Sequence, residues 1–421
     1  MKKTLIAIAA AAAVTTSAFA EITFGAWGRG VLAPIASNGD GTQAFYSTSW
    51  GGQPRIGFEI NGVSDNVGFR VTMNADSGEK VEIHDEAKIW VKPADFIKVT
   101  AGKIQNNTLY GNWCYGSWNW LRPSFIDDEG ITFGRFEDKG MQIELFPVEG
   151  LYLAVGVPLK NNGWGTGDWA YTAETAENKP NEGKYVQDVG EAYRASVVHA
   201  AYTIAGVGKI KAGYYGSNKV YDYTDPKTKK TSSEYQKGKI EAAFESRGDN
   251  ALVDGLGFEV GVAYNLTDKD YLDVTNLKDD TKIALGVSYN GIENVGFTAS
   301  GAVFIPKNTD KQKEGTSEEY ENKLWVRAGA GVDYTIADAG ITINADVRLQ
   351  TARTSTGDTS IGFLVGAAKG FSNGKIGIGF QAATKGGFVG GLKGRGEVAG
   401  VKGKDDDKLT WCVPVTLEYW F

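Results

Sequence analysis

The chain has 421 residues, with 44 Lys and Arg against 51 Asp and Glu, a formal net charge of −7, and 56 Gly against 10 Pro. That balance speaks against a nucleic-acid partner, and no compact basic run offers a phosphate-binding stripe. After the N-terminal segment no stretch approaches the roughly 18 consecutive apolar residues of a spanning helix, and two cysteines permit at most one bridge.

Residues 1–20 read as a secretory signal peptide: Lys2 and Lys3, an apolar core from Leu5 to Val14, then the small-x-small site Ala18-Phe19-Ala20. The mature chain is expected to start at Glu21, exported through the periplasm and charged −9 once the two lysines go (−7 minus 2). From there the period is two almost throughout. In 55–61, Ile56, Phe58 and Ile60 alternate with Arg55, Gly57, Glu59 and Asn61; in 340–349, Ile341, Ile343, Ala345, Val347 and Leu349 oppose Thr342, Asn344, Asp346 and Arg348. Such alternation marks strands with one apolar and one polar face.

The connections alternate in length. Short turns are expected at 61–66, 92–95, 147–150, 205–207, 249–255, 290–294, 337–339 and 372–374. Longer polar segments lie between them, among them 106–138, 160–191, 217–234 and 385–408. Short turns on one side and long loops on the other belong to a transmembrane antiparallel β-barrel of about 18 strands, or 16 if one weak hairpin is absorbed into a loop, with the long loops extracellular. The turns themselves recur (NGVSDNVGF at Asn61, NGIENVGF at Asn290), which is repeated hairpin chemistry.

The chain ends on Phe421, with Tyr419, Leu417, Val415, Val413 and Trp411 on the same face before it. This closely resembles the C-terminal assembly signal of outer-membrane barrels. With it the mature chain, 21–421, resembles a general bacterial porin along its whole length in pattern, with no subfamily recognisable. The resemblance implies outer-membrane location, the barrel-assembly machinery and outer-membrane lipid and lipopolysaccharide as partners, and a homotrimer. It also implies a third extracellular loop, here 106–138, folded inward as a constriction.

With the apolar parity assigned to lipid, Phe24, Phe69, Tyr289, Tyr334, Phe371, Tyr419 and Phe421 fall at strand ends toward the short turns, and Tyr214 and Tyr264 toward the loops, as interfacial girdles do. The opposite parity points Arg29, Arg55, Arg70, Lys88, Lys92, Lys98, Lys209, Lys211, Lys239, Lys282, Arg327, Arg348 and Lys375 inward. It does the same for Glu59, Glu144, Glu241, Glu245, Glu259, Asp333, Asp346 and Glu418. Charges on that scale cannot fill a dry core, because unpaired burial costs several kcal/mol per ion. They imply a wet lumen passing small hydrophilic solutes passively, with a weak anion preference from the basic excess.

Segment 106–138 carries Tyr110, Trp113, Tyr115, Trp118, Trp120 and Phe125, followed by Asp127, Asp128 and Glu129. Its aromatics either bury against the wall or form a platform for sugar rings, which would make the barrel a sugar-selective porin. A plugged barrel acting as surface antigen or adhesin is the reading from another class. Cys114 lies in this loop, and by parity Cys412 points into the upper lumen, so a bridge pinning the loop to the last strand is an expectation. No enzymatic site is expected. His84 and His199 lack metal-type spacing, and His199 reads as a wall residue. Gly25-Ala-Trp-Gly-Arg-Gly30 precedes no helix, and Asp405, Asp406 and Asp407 read as a solvated run. No metal or cofactor is expected.

Overall fold

The computed structural model describes residues 21–37, 42–47, 55–75, 81–111, 133–159, 193–217, 220–224, 231–235, 237–268, 281–309, 320–384, 397–398, 401–402 and 409–421. The proposed signal peptide lies outside them. No helix among the described residues is long and apolar enough to cross a membrane; the strands do the crossing.

Eighteen strands form the wall: β1 Glu21–Ser37, β2 Arg55–Val63, β3 Val67–Ala75, β4 Glu82–Ala94, β5 Ile97–Gln105, β6 Glu137–Leu145, β7 Leu151–Pro158, β8 Val197–Ile204 and β9 Gly208–Tyr215. The second half is β10 Lys239–Ser246, β11 Leu256–Asn265, β12 Thr281–Ile292, β13 Val295–Ile305, β14 Trp325–Ile336, β15 Ile341–Gln350, β16 Ser360–Phe371, β17 Gly374–Ala383 and β18 Thr410–Trp420. Each pairs antiparallel with the next, and β18 pairs with β1, so the sheet has no edge within the wall. The count settles on 18 rather than 16, and all eight expected short turns join hairpins on one side. Three further short pieces stand outside the ring: Thr42–Ser47 on the upper part of β1, the hairpin Val220–Thr224 with Thr231–Tyr235, and the hairpin Glu397–Val398 with Val401–Lys402.

Turn chemistry explains why the hairpins reverse where they do. At β14–β15 the short 3-10 turn Ala337–Ala339 ends on Gly340 at φ 59, a left-handed position natural to glycine. At β12–β13 the same region is reached by Asn294, φ 61, one of the few side chains that tolerates it. The closing seam has its own irregularity. Trp27 to Leu32 pair with Trp420 to Val415, then the register shifts before Ile35 pairs with Val413. Pro34 sits in that shift, where a residue without an N–H costs no ladder bond. Phe421 completes the seam by donating its backbone N–H to Ala26 O at 2.8 Å.

The two parities separate as the alternation requires. Ile56, Phe58, Ile89, Val155, Ile210, Val260, Leu285, Val347, Val365, Ile378 and Leu417 are exposed on the convex face. The concave face carries the buried polar groups, Glu144, Lys211, Glu241, Arg327 and Arg348 among them. On the convex face Phe24, Tyr334, Phe371, Tyr419 and Phe421 stand exposed at the short-turn rim, and the Tyr419 and Phe421 rings meet edge to face at 4.5 Å.

Candidate channel lumen

On the inner face of β6–β10 a seat is built from small residues. Ala154, Ala201 and Ala243 join Tyr152, Leu109 and Phe133 in one buried cluster. Leu109 and Phe133 belong to the two roots of the third long connection. The roots run together, Asn106 N–H donating to Phe136 O at 2.9 Å and Gly111 N–H to Phe133 O at 3.1 Å. Phe136 fills the notch at Gly156, where a Cβ would come within 2.5 Å of its ring. Glycine is required there because wall and ring approach more closely than any side chain allows.

Polar contacts fix both roots. Asn106 Nδ2 lies 2.9 Å from Gln142 Oε1, 2.9 Å from Tyr152 OH and 3.2 Å from Glu144 Oε1, and Tyr152 OH donates to Glu144 Oε1 at 2.9 Å. At the other root Gly134 N–H donates to Glu241 Oε2 at 2.7 Å, on a strand four places round the wall from β6. Lys239 holds the other oxygen of that carboxylate at 2.6 Å. Phe133, only 1% exposed, lies against His199 and Tyr215, whose side chains hydrogen-bond at 3.0 Å. His199, read from the sequence as a wall residue, is thus part of the loop's seat.

The register puts all thirteen residues singled out as pore-lining on the inner face: Arg29, Arg55, Glu59, Arg70, Lys88, Lys98, Lys211, Lys239, Glu259, Arg327, Asp333, Asp346 and Arg348. Most are tied into pairs. Arg70 bridges Glu59 at 2.8 Å and Glu86 at 3.0 Å, and Lys88 also meets Glu86. Lys98 pairs with Glu144 at 2.8 Å. Lys211, 1% exposed, joins Glu245 and, at 3.3 Å, Glu259. Arg348 meets Asp346 at 2.7 Å, Lys375 meets Glu418 at 3.1 Å, and Arg327 donates to Gln350 Oε1 at 2.9 Å. Asp333 faces inward opposite Asn344.

Trp113, Tyr115, Trp118, Trp120, Asp127, Asp128, Glu129 and Cys114 lie outside the described residues. Cys412 points inward as expected, but in place of the expected bridge it carries a free, buried thiol whose Sγ faces Gln381 Oε1 at 3.7 Å on the neighbouring strand. Val415, Leu417, Tyr419 and Phe421 take the outward parity. Among the described residues no cluster of metal-ligating side chains occurs.

Several inward residues escaped the sequence. Glu86 did so because Glu82, His84, Asp85 and Glu86 are polar on both parities, and a bulge between β3 and β4 falls there. Trp27, Trp90 and Trp420 share the parity of Arg29, Lys88 and Glu418 respectively; only their apolar character disguised them. Phe133 and Phe136 lie in a segment with no period to read.

A closed ring of 18 strands, apolar outside and ion-paired inside, with a loop rooted on its inner wall, defines a closed antiparallel β-barrel of the transmembrane class. No family model and no curated protein matches the sequence. Among solved structures the chain is similar to the Salmonella typhi OmpF complex with daunomycin at 14% identity and TM-score 0.45, covering 96% of this chain and 97% of that one. It is similar also to a mutant Rh. blastica porin at 12% and 0.45, covering 95% and 100%, and to the anion-selective porin from Comamonas acidovorans at 12% and 0.41, covering 96% and 100%. At these values the likeness is one of overall fold, and the class rests on the strand pairing described above.

Proposed function

We propose that the barrel is a water-filled channel for passive diffusion of small hydrophilic solutes, weakly preferring anions, with loop 106–138 as its constriction. The observation that carries this reading is the inner wall itself. Its ionisable groups occur in linked pairs with basic side chains in excess, even with Glu86 added to the acidic set. Partly exposed pairs of this kind persist where water solvates their remaining lone pairs and protons, and a charged aqueous bore selects by sign and size. The roots of the third loop lie on this same wall, which supports the inward course. Export behind a leader at 1–20, handling by the barrel-assembly machinery and assembly as a homotrimer complete the reading.

The test is a planar bilayer holding the purified protein under a salt gradient. Discrete open steps with a reversal potential displaced modestly toward that of chloride are expected. Clear cation preference overturns the selectivity, and electrical silence overturns the channel in favour of a plugged surface antigen. Steps blocked by neutral sugars would favour the sugar-selective form.

A further inference from the structure

The inner wall mostly balances its charges. Even where Arg29 and Arg55 stand side by side, both guanidiniums lie over the Trp27 indole, at 4.7 and 5.7 Å from the ring centroid. Glu418 stands opposite Arg29, and Arg55 meets His84. Between β14 and β15 the balance fails. Asp333 and Asn344 lie directly opposite each other near the short-turn mouth, both facing inward. Asp333 Oδ1 and Asn344 Oδ1 are each shielded from solvent, and neither accepts a hydrogen bond. Asn344 is only 5% exposed, so its amide oxygen has left water with nothing in exchange and carries the full desolvation cost. Opposed Cβ atoms are roughly 4.5–5.5 Å apart, which brings two electron-rich oxygens into one small space.

The surroundings supply more oxygen and some room. One step toward the turn, Thr335 and Thr342 oppose each other and their hydroxyls meet at 3.1 Å, which leaves lone pairs over. One step the other way, Asp346 is held by Arg348 at 2.7 Å, so its charge is committed while that of Asp333 is not. On the β13 side Asp333 faces Gly296, where an added side chain would find only Asp333 Cβ within 4 Å, at 3.9 Å. On the β16 side Asn344 faces Gly366. Carboxylate, amide and hydroxyl oxygens, without nitrogen or sulfur among them, are the donors a hard cation takes. One free carboxylate among neutral oxygens is short of the acidic, histidine or cysteine clusters absent from the described residues. Such a site draws the rest of its coordination from water.

We propose that Asp333 and Asn344, with the Thr335–Thr342 hydroxyl pair beside them, form a calcium site on the inner wall, the ion bridging the two orphaned oxygens and completing its shell with water. A dissociation constant of about 10⁻⁴–10⁻³ M suits so low a ligand charge. Calorimetry with calcium chloride on the protein folded in detergent, against sodium chloride at matched ionic strength, reads the site without needing conductance. Asp333→Asn should weaken binding about tenfold or more, and Asn344→Asp, which adds a second carboxylate, should tighten it about tenfold. The heat-modifiable band reports whether each variant is folded. Binding unchanged in either folded variant overturns the site, as does calcium heat no larger than that of sodium. If Asp333→Asn fails to fold, Asn344→Asp decides alone: tighter binding supports the site, and unchanged or weaker binding overturns it. Bound calcium adds positive charge to the wall. In the bilayer it should therefore move the reversal potential further toward that of chloride in the parent and not in Asp333→Asn. A silent bilayer with calorimetric binding intact removes only the channel reading.

Discussion

Two stretches of inner wall use one device to opposite ends. On β6–β10 a glycine admits a ring delivered by a loop, Phe136 into the notch at Gly156. On β1–β2 a glycine admits a ring delivered by the next strand, Trp27 over Gly57. In the first the ring is followed by an apolar cluster that buries the wall beneath it, and the nearby ion pairs are sealed, as at Lys211. In the second the ring is topped by guanidiniums, and the charges stay partly exposed to the bore. The alternation of the strands decides which face a side chain takes. What that face then does depends on whether a third element arrives to cover it.

Removing Phe421 should erase the difference by removing both walls. The seam loses the outermost ring of its lipid face and the backbone bond to Ala26, so the folded, heat-modifiable form in outer membranes is expected to fall several-fold. A truncated chain that assembles as well as the parent would show that the terminal residue plays no part in closure.

Gly156→Leu should damage one wall only. Overpacking against Phe136 costs about 1–3 kcal/mol, which is expected to lift the loop roots, raise single-channel conductance and expose the segment near Phe133 to protease. Reversal potential, set by the basic excess of the whole inner wall, should move little. Unchanged conductance with unchanged protease sensitivity would mean the seat does not hold the loop.

The smallest effect expected concerns whether the two walls are strapped together. Cys412 is buried beside Gln381 with a free thiol, so alkylation of the unfolded, unreduced chain should label both cysteines. No label would instead mean a bridge from Cys114 to β18, tying the loop across the bore to the seam.

Much of the frame was legible because lipid and water enforce it locally. Each strand must present one face to each solvent, so Ile56, Phe58 and Ile60 against Arg55, Gly57 and Glu59 announce both faces at once. The eight turns were legible for a similar reason, as runs such as Asn290-Gly291-Ile292-Glu293-Asn294 break the pattern with residues that suit reversals. The seat was not legible. Ala154, Gly156, Ala201 and Ala243 are ordinary small residues on three strands, and only the assembled wall brings β7, β8 and β10 beside Phe133. Trp420 was missed for the converse reason: an aromatic near a strand end reads as interfacial, and parity alone assigns it to water.

The meeting of Phe421 with Ala26 has a topological consequence. The ring has no first strand in space, since every wall element has two neighbours and the chain merely happens to be cut at this seam. Because Phe421 lies beside Ala26 rather than Glu21, the first and last residues of the wall are offset by five residues of β1, about 17 Å along the strand. A flexible linker long enough to cover that step would rejoin them, and the cut could then be moved to the turn between Phe371 and Gly374. Such a circular permutant would keep every strand neighbour while starting its chain on β17, which separates the information that shapes the barrel from the order in which its strands are made.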